Sequence, residues 1–480
     1  MSLSPHLFVV LGATGDLFSR KLLPAIFSLA VDPDAEIIVL GAATRDLDDA
    51  GFRAACRSDL AAAGVSGADS DKWCDDRLHY APIPSDGDYS GLARRIEQVE
   101  QQHDLSGNRV FYLALPPRVF PAAIKRLGEA GLADAPGWTR LVIEKPFGRE
   151  LESARELNSI VHRNFDESQV FRIDHYLGKE TVQNLLVFRF TNPIFEASWN
   201  RDRIDRVEIT VAESLGVGDR AGYYDQAGVV RDMIQSHLTQ ILTLVAMETP
   251  VVFEADAIRD EKVKVLRSIR RIDPARVVLG QYEAGRVDDE PAAAYLDATG
   301  VAGGSRTSTF AAIRLELDSW RWQGVPFYLR TGKAMKERTT QIAVTFRRPP
   351  LCLFHGRADN CIAHSDVLYL TLQPDEGFSL EIDVKEPGES GRLRTIPLRF
   401  SYSEAFGDIP EAYETLLADV IEGDQTLFVR SDEVEEAWRL YTPIVDNPGE
   451  PHPYPAGSWG PEAALDLLGP GVANWATGPR

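Results

Sequence analysis

Residues 7–17 read LFVVLGATGDL, an apolar run that passes straight into a glycine turn. The apolar run LFVVL at 7–11 suits a strand buried on both faces, as in a parallel sheet. Gly12 and Gly15 then punctuate a turn. Over residues 19–30, Leu22, Leu23, Ile26, Phe27 and Ala30 recur at helical spacing. A glycine turn between a strand and a helix suits a phosphate cradle. Glycines let the backbone approach a pyrophosphate, and the helix start supplies N–H donors and partial positive charge. GATGDL is shorter than GxGxxG, so on these residues alone a plain tight turn is the competing reading.

Outward from this point, EIIVLGAA at 36–43, RVFYLAL at 109–115 and RLVIEKP at 140–146 read as further strands, separated by helical stretches. The alternation predicts a doubly wound parallel sheet over residues 1–175, a unit of nucleotide-binding size. Past residue 180 the texture changes. LVFRFTN at 186–192, DRVEITVAE at 205–213, FAAIRLEL at 310–317, QIAVTFR at 341–347, VLYLTLQ at 367–373 and SLEIDVK at 379–385 read as strands. Several alternate apolar and polar residues, which predicts a large, mostly antiparallel sheet in an α+β domain over 176–480. A long helix is expected over 228–248, and a Pro- and Gly-rich surface loop from 446.

The 480 residues are enough for two to four domains, or two large ones. A chain 44% hydrophobic and 26% charged is neither collagen, coiled coil nor wholly disordered. Fifty-one Lys and Arg against 72 Asp and Glu leave a net charge of −21, which excludes a global footprint for nucleic acid or an anionic membrane. An anionic ligand therefore needs positive charge concentrated locally. Cys56, Cys74, Cys352 and Cys361 form no CxxC pair, so a disulfide framework and a zinc site are not expected, and a reducing, cytoplasmic location is. No metal-ligand spacing is present. No apolar run reaches the ~18 residues of a membrane helix, and the N-terminus reads as a buried strand rather than a signal peptide.

Four segments carry candidate chemistry. EKP at 144–146 places Lys145 at the carboxyl edge of a parallel sheet, where ligands bind, and the bond before Pro146 could be cis. RIDHYLGKE at 172–180 is the densest cluster. If helical, His175 and Lys179 share a face that suits a phosphate dianion, and Tyr176 adds a hydroxyl. In RDMIQSH, Asp232 and His237 lie on the long helix. His237 shares its spacing with Met233 and Ile241 and so points toward the core; a base role needs an orienting carboxylate. LRTGKAMKER at 329–338 gathers Arg330, Lys333, Lys336 and Arg338, either a solvated turn or a second arm of an anion site.

In this order, GATGDLFSRKLLPA, ALPP, EKPFG, RIDHYLGKE, WNRD, AGYYDQAG, RDMIQSH, VPFYLRTGK and FVRSDEVEEAW resemble the glucose-6-phosphate dehydrogenase family over nearly the whole chain. The resemblance implies oxidation of glucose 6-phosphate at C1 to 6-phosphoglucono-δ-lactone, with NADP+ reduced, the first step of the oxidative pentose phosphate pathway. By motif position it implies His237 as general base and Asp174 as its carboxylate partner. It implies His175, Tyr176 and Lys179 as phosphate ligands, and Glu213 and Asp232 on the sugar hydroxyls. Lys145 would lie between cofactor and substrate, with Lys333, Arg338 and Gln373 on the substrate side. The cofactor would take Gly12, Ala13, Thr14, Gly15, Asp16, Leu17, Lys21, Thr44, Arg45 and Lys145. A homodimer or homotetramer built through the large sheet is also implied.

Two departures from the family stand out. Its usual arginine after the second strand, which grips the NADP 2′-phosphate, is Thr44 here, with Arg45 one place later. Positions that hold a second, structural NADP in some members are Thr339, Ala343 and Thr371, so that site is expected to be missing. Two rivals compete: a glucose–fructose oxidoreductase-type enzyme, which also has EKP, and a non-catalytic metabolite-sensing paralogue. The cationic RIDHYLGKE cluster speaks against the first, and His237, Asp174 and Lys179 together against the second. Tyr176 and Lys179 are three apart, whereas a short-chain dehydrogenase needs a spacing of four.

Overall fold

The computed structural model describes residues 4–31, 36–84, 87–351, 353, 363–388, 392–407, 410–469 and 472–478. The chain forms two compact units, neither contiguous in sequence. The first comprises Met1–Lys179, Val252–Arg259 and Pro410–Glu435; the second comprises Glu180–Val251, Asp260–Ile409 and Glu436–Arg480.

The first unit is built on six parallel strands: β1 (His6–Leu11), β2 (Ile37–Ala43), β3 (Leu78–Pro82), β4 (Arg109–Leu113), β5 (Thr139–Glu144) and β6 (Val170–Ile173). Their order, β3-β2-β1-β4-β5-β6, is that of a Rossmann-type sheet with its switch point between β1 and β4. All six residues of β1 are buried, as a central parallel strand requires. LHYAP in β3 and VFRI in β6 lack a long apolar run, and sequence periodicity does not single them out.

The returning segment 410–435 completes this unit's core. The helix Ala412–Glu422 buries Leu416, Leu417, Val420 and Ile421 with Phe428, whose ring meets Phe171 edge-on at 4.8 Å. Each such side chain contributes about 1.5–3 kcal/mol through apolar burial. Gly423 ends the helix in the left-handed conformation, and Arg140 donates to the terminal carbonyls of Val420 (2.7 Å) and Ile421.

Among the described residues, the second unit carries a nine-stranded sheet: β7 (Ile204–Ala212), β8 (Val277–Glu283), β11 (Phe310–Glu316), β12 (Pro326–Gly332), β13 (Thr339–Phe346), β14 (Val367–Gln373), β15 (Gly377–Lys385), β16 (Leu393–Ser401) and β17 (His452–Pro455). A small separate hairpin pairs β9 (Gly285–Val287) with β10 (Glu290–Ala292). The large sheet runs β16-β15-β14-β13-β7-β12-β11-β8-β17 and is antiparallel except where β7 meets β12 and β8 meets β17.

Two segments fold otherwise than their sequence predicts. LVFRFTN is not a strand; it closes the helix Glu180–Thr191. Val182, Leu185, Leu186 and Arg189 are buried at helical spacing, a pattern that shows only when the preceding ETVQNL is included. The buried Arg189 donates to the carbonyls of Leu244 and Met247, satisfying the end of the neighbouring helix Thr239–Ala246. The segment after 446 is not simply a surface loop, because it supplies β17. Tyr454 on that strand is fully buried and donates to the Lys333 carbonyl at 2.7 Å.

Cys56 and Cys74 are buried free thiols; Cys352 and Cys361 lie outside the described residues. Among the described residues no helix is long and apolar enough to cross a membrane.

Candidate active site

In the first unit, the turn after β1 is shaped by Gly12. Its φ is +95°, and a Cβ there would stand 2.2 Å from the Ala114 carbonyl oxygen. Gly12 and Ala13 both donate to the Ala42 carbonyl, at 2.7 and 3.3 Å, and Gly15 donates to Gly12 at 3.0 Å. Thr14 is half-buried, while Gly15 and Asp16 are exposed at the start of the following helix, with Leu17 behind them. A tight backbone at a helix start, at the carboxyl edge of β1, suits a dinucleotide pyrophosphate. The next turn, Phe18–Leu22, is π-helical, a winding often found at functional sites. It carries Lys21, which pairs with Glu411 at 2.9 Å. Thr44 and Arg45 are exposed on the loop after β2.

Glu144 ends β5, and Lys145 follows it, joined to Pro146 by a cis peptide bond. Glu144 accepts from the hydroxyls of Tyr112 (2.6 Å) and Tyr413 (3.0 Å) at one oxygen. Burial raises its pKa, the two tyrosines and the Lys145 charge lower it, and Asp174 raises it. Burial beside this carboxylate holds the Tyr112 phenol far above its usual pKa. The network joins β4, β5 and the 410–435 segment. Its only signal is the Glu of EKP, since the tyrosines are remote in sequence.

RIDHYLGKE is not helical over 174–179, as the shared-face reading supposed. It leaves β6 as successive turns, and the helix begins at Glu180. The cause is Asp174, whose Oδ1 accepts from the Tyr176 N–H at 3.0 Å and holds the chain in an Asx-type turn. Leu177 and Lys179 then donate back to the Asp174 and Tyr176 carbonyls. The turn still brings the three side chains together. The His175 and Tyr176 rings lie 5.1 Å apart, and Lys179 Nζ lies 5.0 Å from the Tyr176 ring centre. Gly178 permits this, since a Cβ would meet Ala412 O at 2.6 Å and the Leu416 side chain at 2.7 Å. Asp174 is 1% exposed.

In the second unit, Gly228 (φ +67°) kinks the helix Ala221–Val229 near its end, so the long helix is not continuous from 228. Residues Val230–Leu238 then wind as a π-helix that runs into Thr239–Ala246. In an α-helix, Asp232 and His237 would stand roughly 140° apart. Hydrogen bonding from i to i+5 stacks residues five apart and brings both to one side. His237 is 1% exposed, with Met233 and Ile241 also buried, as its spacing predicts.

Glu213 follows β7. Its N–H donates to Gly332 O and its carbonyl accepts from Met335, which places it beside Lys333 at an Nζ–Oε2 distance of 2.6 Å. Lys333 Nζ lies 5.0 Å from the Tyr224 ring centre. Tyr224 is buried, and its pKa is far above the usual phenol value because of burial first and then the carboxylates of Asp232 and Glu213. Tyr224 thus lies beside Lys333, near enough to Asp232 and Glu213 for their charges to act on its phenol; the AGYYDQAG motif was its only sequence signal. Arg338 donates to Gln373 at 3.4 Å, and Gln373 donates to Thr340 at 2.8 Å.

Arg330 does not join the cationic arm expected of LRTGKAMKER. It is fully buried on β12, donates to Thr210 at 3.3 Å, and lies 4.8 and 4.7 Å from the ring centres of Trp459 and Trp475. Burial lowers its pKa to about 10. Lys333 stands three residues on, past the strand end, and remains partly exposed with Lys336 and Arg338.

The family models for the glucose-6-phosphate dehydrogenase NAD binding domain and C-terminal domain match residues 9–184 and 186–476. A glucose-6-phosphate 1-dehydrogenase of Aggregatibacter actinomycetemcomitans is 43% identical, covering 97% of this chain and 96% of that protein. A solved glucose-6-phosphate dehydrogenase in complex with its substrate glucose 6-phosphate superposes with a TM-score of 0.89 at 36% identity, covering 98% of each chain. The crystal structure of glucose-6-phosphate 1-dehydrogenase from Mycobacterium avium gives 0.85 at 34% identity, covering 99% of this chain and 100% of that one. With both halves of the chain matched and the relatives covered nearly end to end, this chain belongs to the glucose-6-phosphate dehydrogenase family.

Proposed function

We propose that this chain is an oxidoreductase that converts glucose 6-phosphate to 6-phosphoglucono-δ-lactone with hydride transfer to NADP+, the first step of the oxidative pentose phosphate pathway. The observation that carries the reading is the 174–179 turn, which gathers His175, Tyr176 and Lys179 as donors in a chain of net charge −21. A phosphate dianion is the ligand such a cluster suits, and an unphosphorylated sugar has no need of it.

When bound, NADP+ supplies the hydride acceptor. The turn from Gly12 to Leu17 fits its pyrophosphate, with Lys21 nearby in sequence and Arg45 and Thr44 assigned to the 2′-phosphate. The protein's task is orientation and proton removal. His237 takes the proton of the C1 hydroxyl, and Asp174 supports the imidazolium that forms. Glu213 and Asp232 accept from the sugar hydroxyls. Lys333, already paired with Glu213, fixes that carboxylate's direction, and Arg338 with Gln373 completes the substrate side. Lys145 serves both ligands. Phosphate binding far from C1 holds the reacting carbon in place.

Thr339, Ala343 and Thr371 are uncharged, so the reading carries one cofactor per chain. A homodimer or homotetramer and a cytoplasmic location belong to the same reading, the latter supported by the free thiols of Cys56 and Cys74. The test is NADPH absorbance on mixing the protein with NADP+ and either glucose 6-phosphate or glucose. Turnover confined to the phosphorylated sugar supports the proposal. Equal turnover of both, or none of either, sinks it.

A further inference from the structure

Arg45 is exposed on the loop after β2. The backbone beneath it is fixed. The Tyr80 hydroxyl donates to the Arg45 carbonyl at 2.6 Å, and Ile83 donates to the Ala43 carbonyl at 2.8 Å. Asp48 closes the loop by capping the next helix through Gly51 N–H at 2.8 Å. Residues 44–48 are therefore held at their start, at Arg45 and at their end.

Tyr80 is a rigid point from which to hold them. It is 3% exposed on β3, opposite Gly41 in register. Its ring centre lies 5.1 Å from that of Phe52, and the Phe52 ring fills the space where a Cβ on Gly41 would fall, 2.4 Å away. The Tyr80 N–H donates to Asp49 at 2.8 Å, and Asp49 is clamped by two bonds from Arg95, 2.9 and 2.7 Å. Burial raises the phenol's pKa, so the hydroxyl stays a donor.

We propose that Tyr80 is a positioning residue for coenzyme selection: by bonding the Arg45 carbonyl it holds the 44–48 loop so that Arg45 meets the 2′-phosphate of NADP+. This rests on the reading of Arg45 given above. The side chain of Tyr80 touches neither ligand; it acts through the backbone of the residue that does. Tyr80→Phe keeps the ring against Phe52 and removes only the hydroxyl.

The experiment titrates adenosine 2′,5′-bisphosphate and AMP calorimetrically into the full chain as wild type, Tyr80→Phe, Arg45→Ala and the double variant, and measures kcat and KM with NADP+ and NAD+. Tyr80→Phe should weaken the bisphosphate about 3- to 10-fold, the value of one hydroxyl–carbonyl bond, and leave AMP unchanged. KM for NADP+ should rise by the same factor at constant kcat, and the double variant should be no worse than Arg45→Ala. Equal weakening of both nucleotides, or of neither, in Tyr80→Phe overturns the proposal. If Arg45→Ala leaves the bisphosphate unchanged, the Arg45 reading falls and the inference with it. If Arg45→Ala weakens the bisphosphate while Tyr80→Phe matches wild type, only the inference falls.

Discussion

Removing the tyrosine hydroxyls around Glu144 should destabilise the first unit in a pH-dependent way. Both hydroxyls converge on one carboxylate oxygen, Tyr112 at 2.6 Å and Tyr413 at 3.0 Å. A hydrogen bond to a charged group contributes about 1.5–3 kcal/mol. Near pH 8, Tyr112→Phe should therefore cost about 2–3 kcal/mol and Tyr413→Phe about 1.5–2 kcal/mol. The double variant leaves a partly buried carboxylate without either donor, and should cost about 3–4 kcal/mol. Burial already raises the Glu144 pKa, and losing the tyrosines raises it further. A group whose folded pKa lies above its unfolded one gives most stability below the unfolded value, and that stability is lost as pH rises through the folded value. The variants should accordingly be penalised less at about pH 5 than at about pH 8. Urea unfolding, followed through Trp73 and Trp138 of the first unit, measures both. A penalty equal at the two pH values would refute the reasoning, because it would mean that the hydroxyls stabilise through packing and not through the carboxylate's charge.

Three further outcomes are expected. His237→Ala should lower kcat by about 10²–10⁴-fold with little change in glucose 6-phosphate affinity, and steady-state kinetics showing more than about a tenth of wild-type turnover would remove His237 from the base role. Lys179→Ala should weaken glucose 6-phosphate about 10- to 100-fold and free glucose hardly at all, since only the former carries the dianion; equal losses for both sugars in a binding titration would make Lys179 structural. Leu416→Ala, at a fully buried position that also packs near Gly178, should cost about 2–5 kcal/mol in a denaturant melt and raise KM for glucose 6-phosphate by loosening the 174–179 turn; an unchanged melt would show that the helix Ala412–Glu422 contributes little to the core.

Much of the molecule was legible as a string of residues, for a shared physical reason: the signals are local. A central parallel strand must be apolar on both faces, so LFVVL announces itself, and the glycine at position 12 is required by a positive φ and a carbonyl 2.2 Å from where its Cβ would stand. RIDHYLGKE, EKP and RDMIQSH could be singled out because their chemistry lies within a few residues of one another. Periodicity misread LVFRFTN, because its alternation is the tail of a helix whose buried face starts at Val182. It also missed the short strands LHYAP and VFRI.

What the sequence could not supply is what distant segments do to one another. Asp174 bends RIDHYLGKE into turns where its spacing permits a helix, and the result gathers the same three side chains by another route. Whether a basic residue is a ligand or a structural post depends on its surroundings. Arg330 packs against two tryptophan rings while Lys333, three residues on, reaches Glu213. Tyr112, Glu144 and Tyr413 come from three separate stretches, Tyr80 and Arg45 come from two, and no spacing rule joins either set. Local propensity fixes which residues can form a strand, a turn or a helix; which buried charge finds which donor is set by the packing that excludes water from both, and that exists only once the chain has folded.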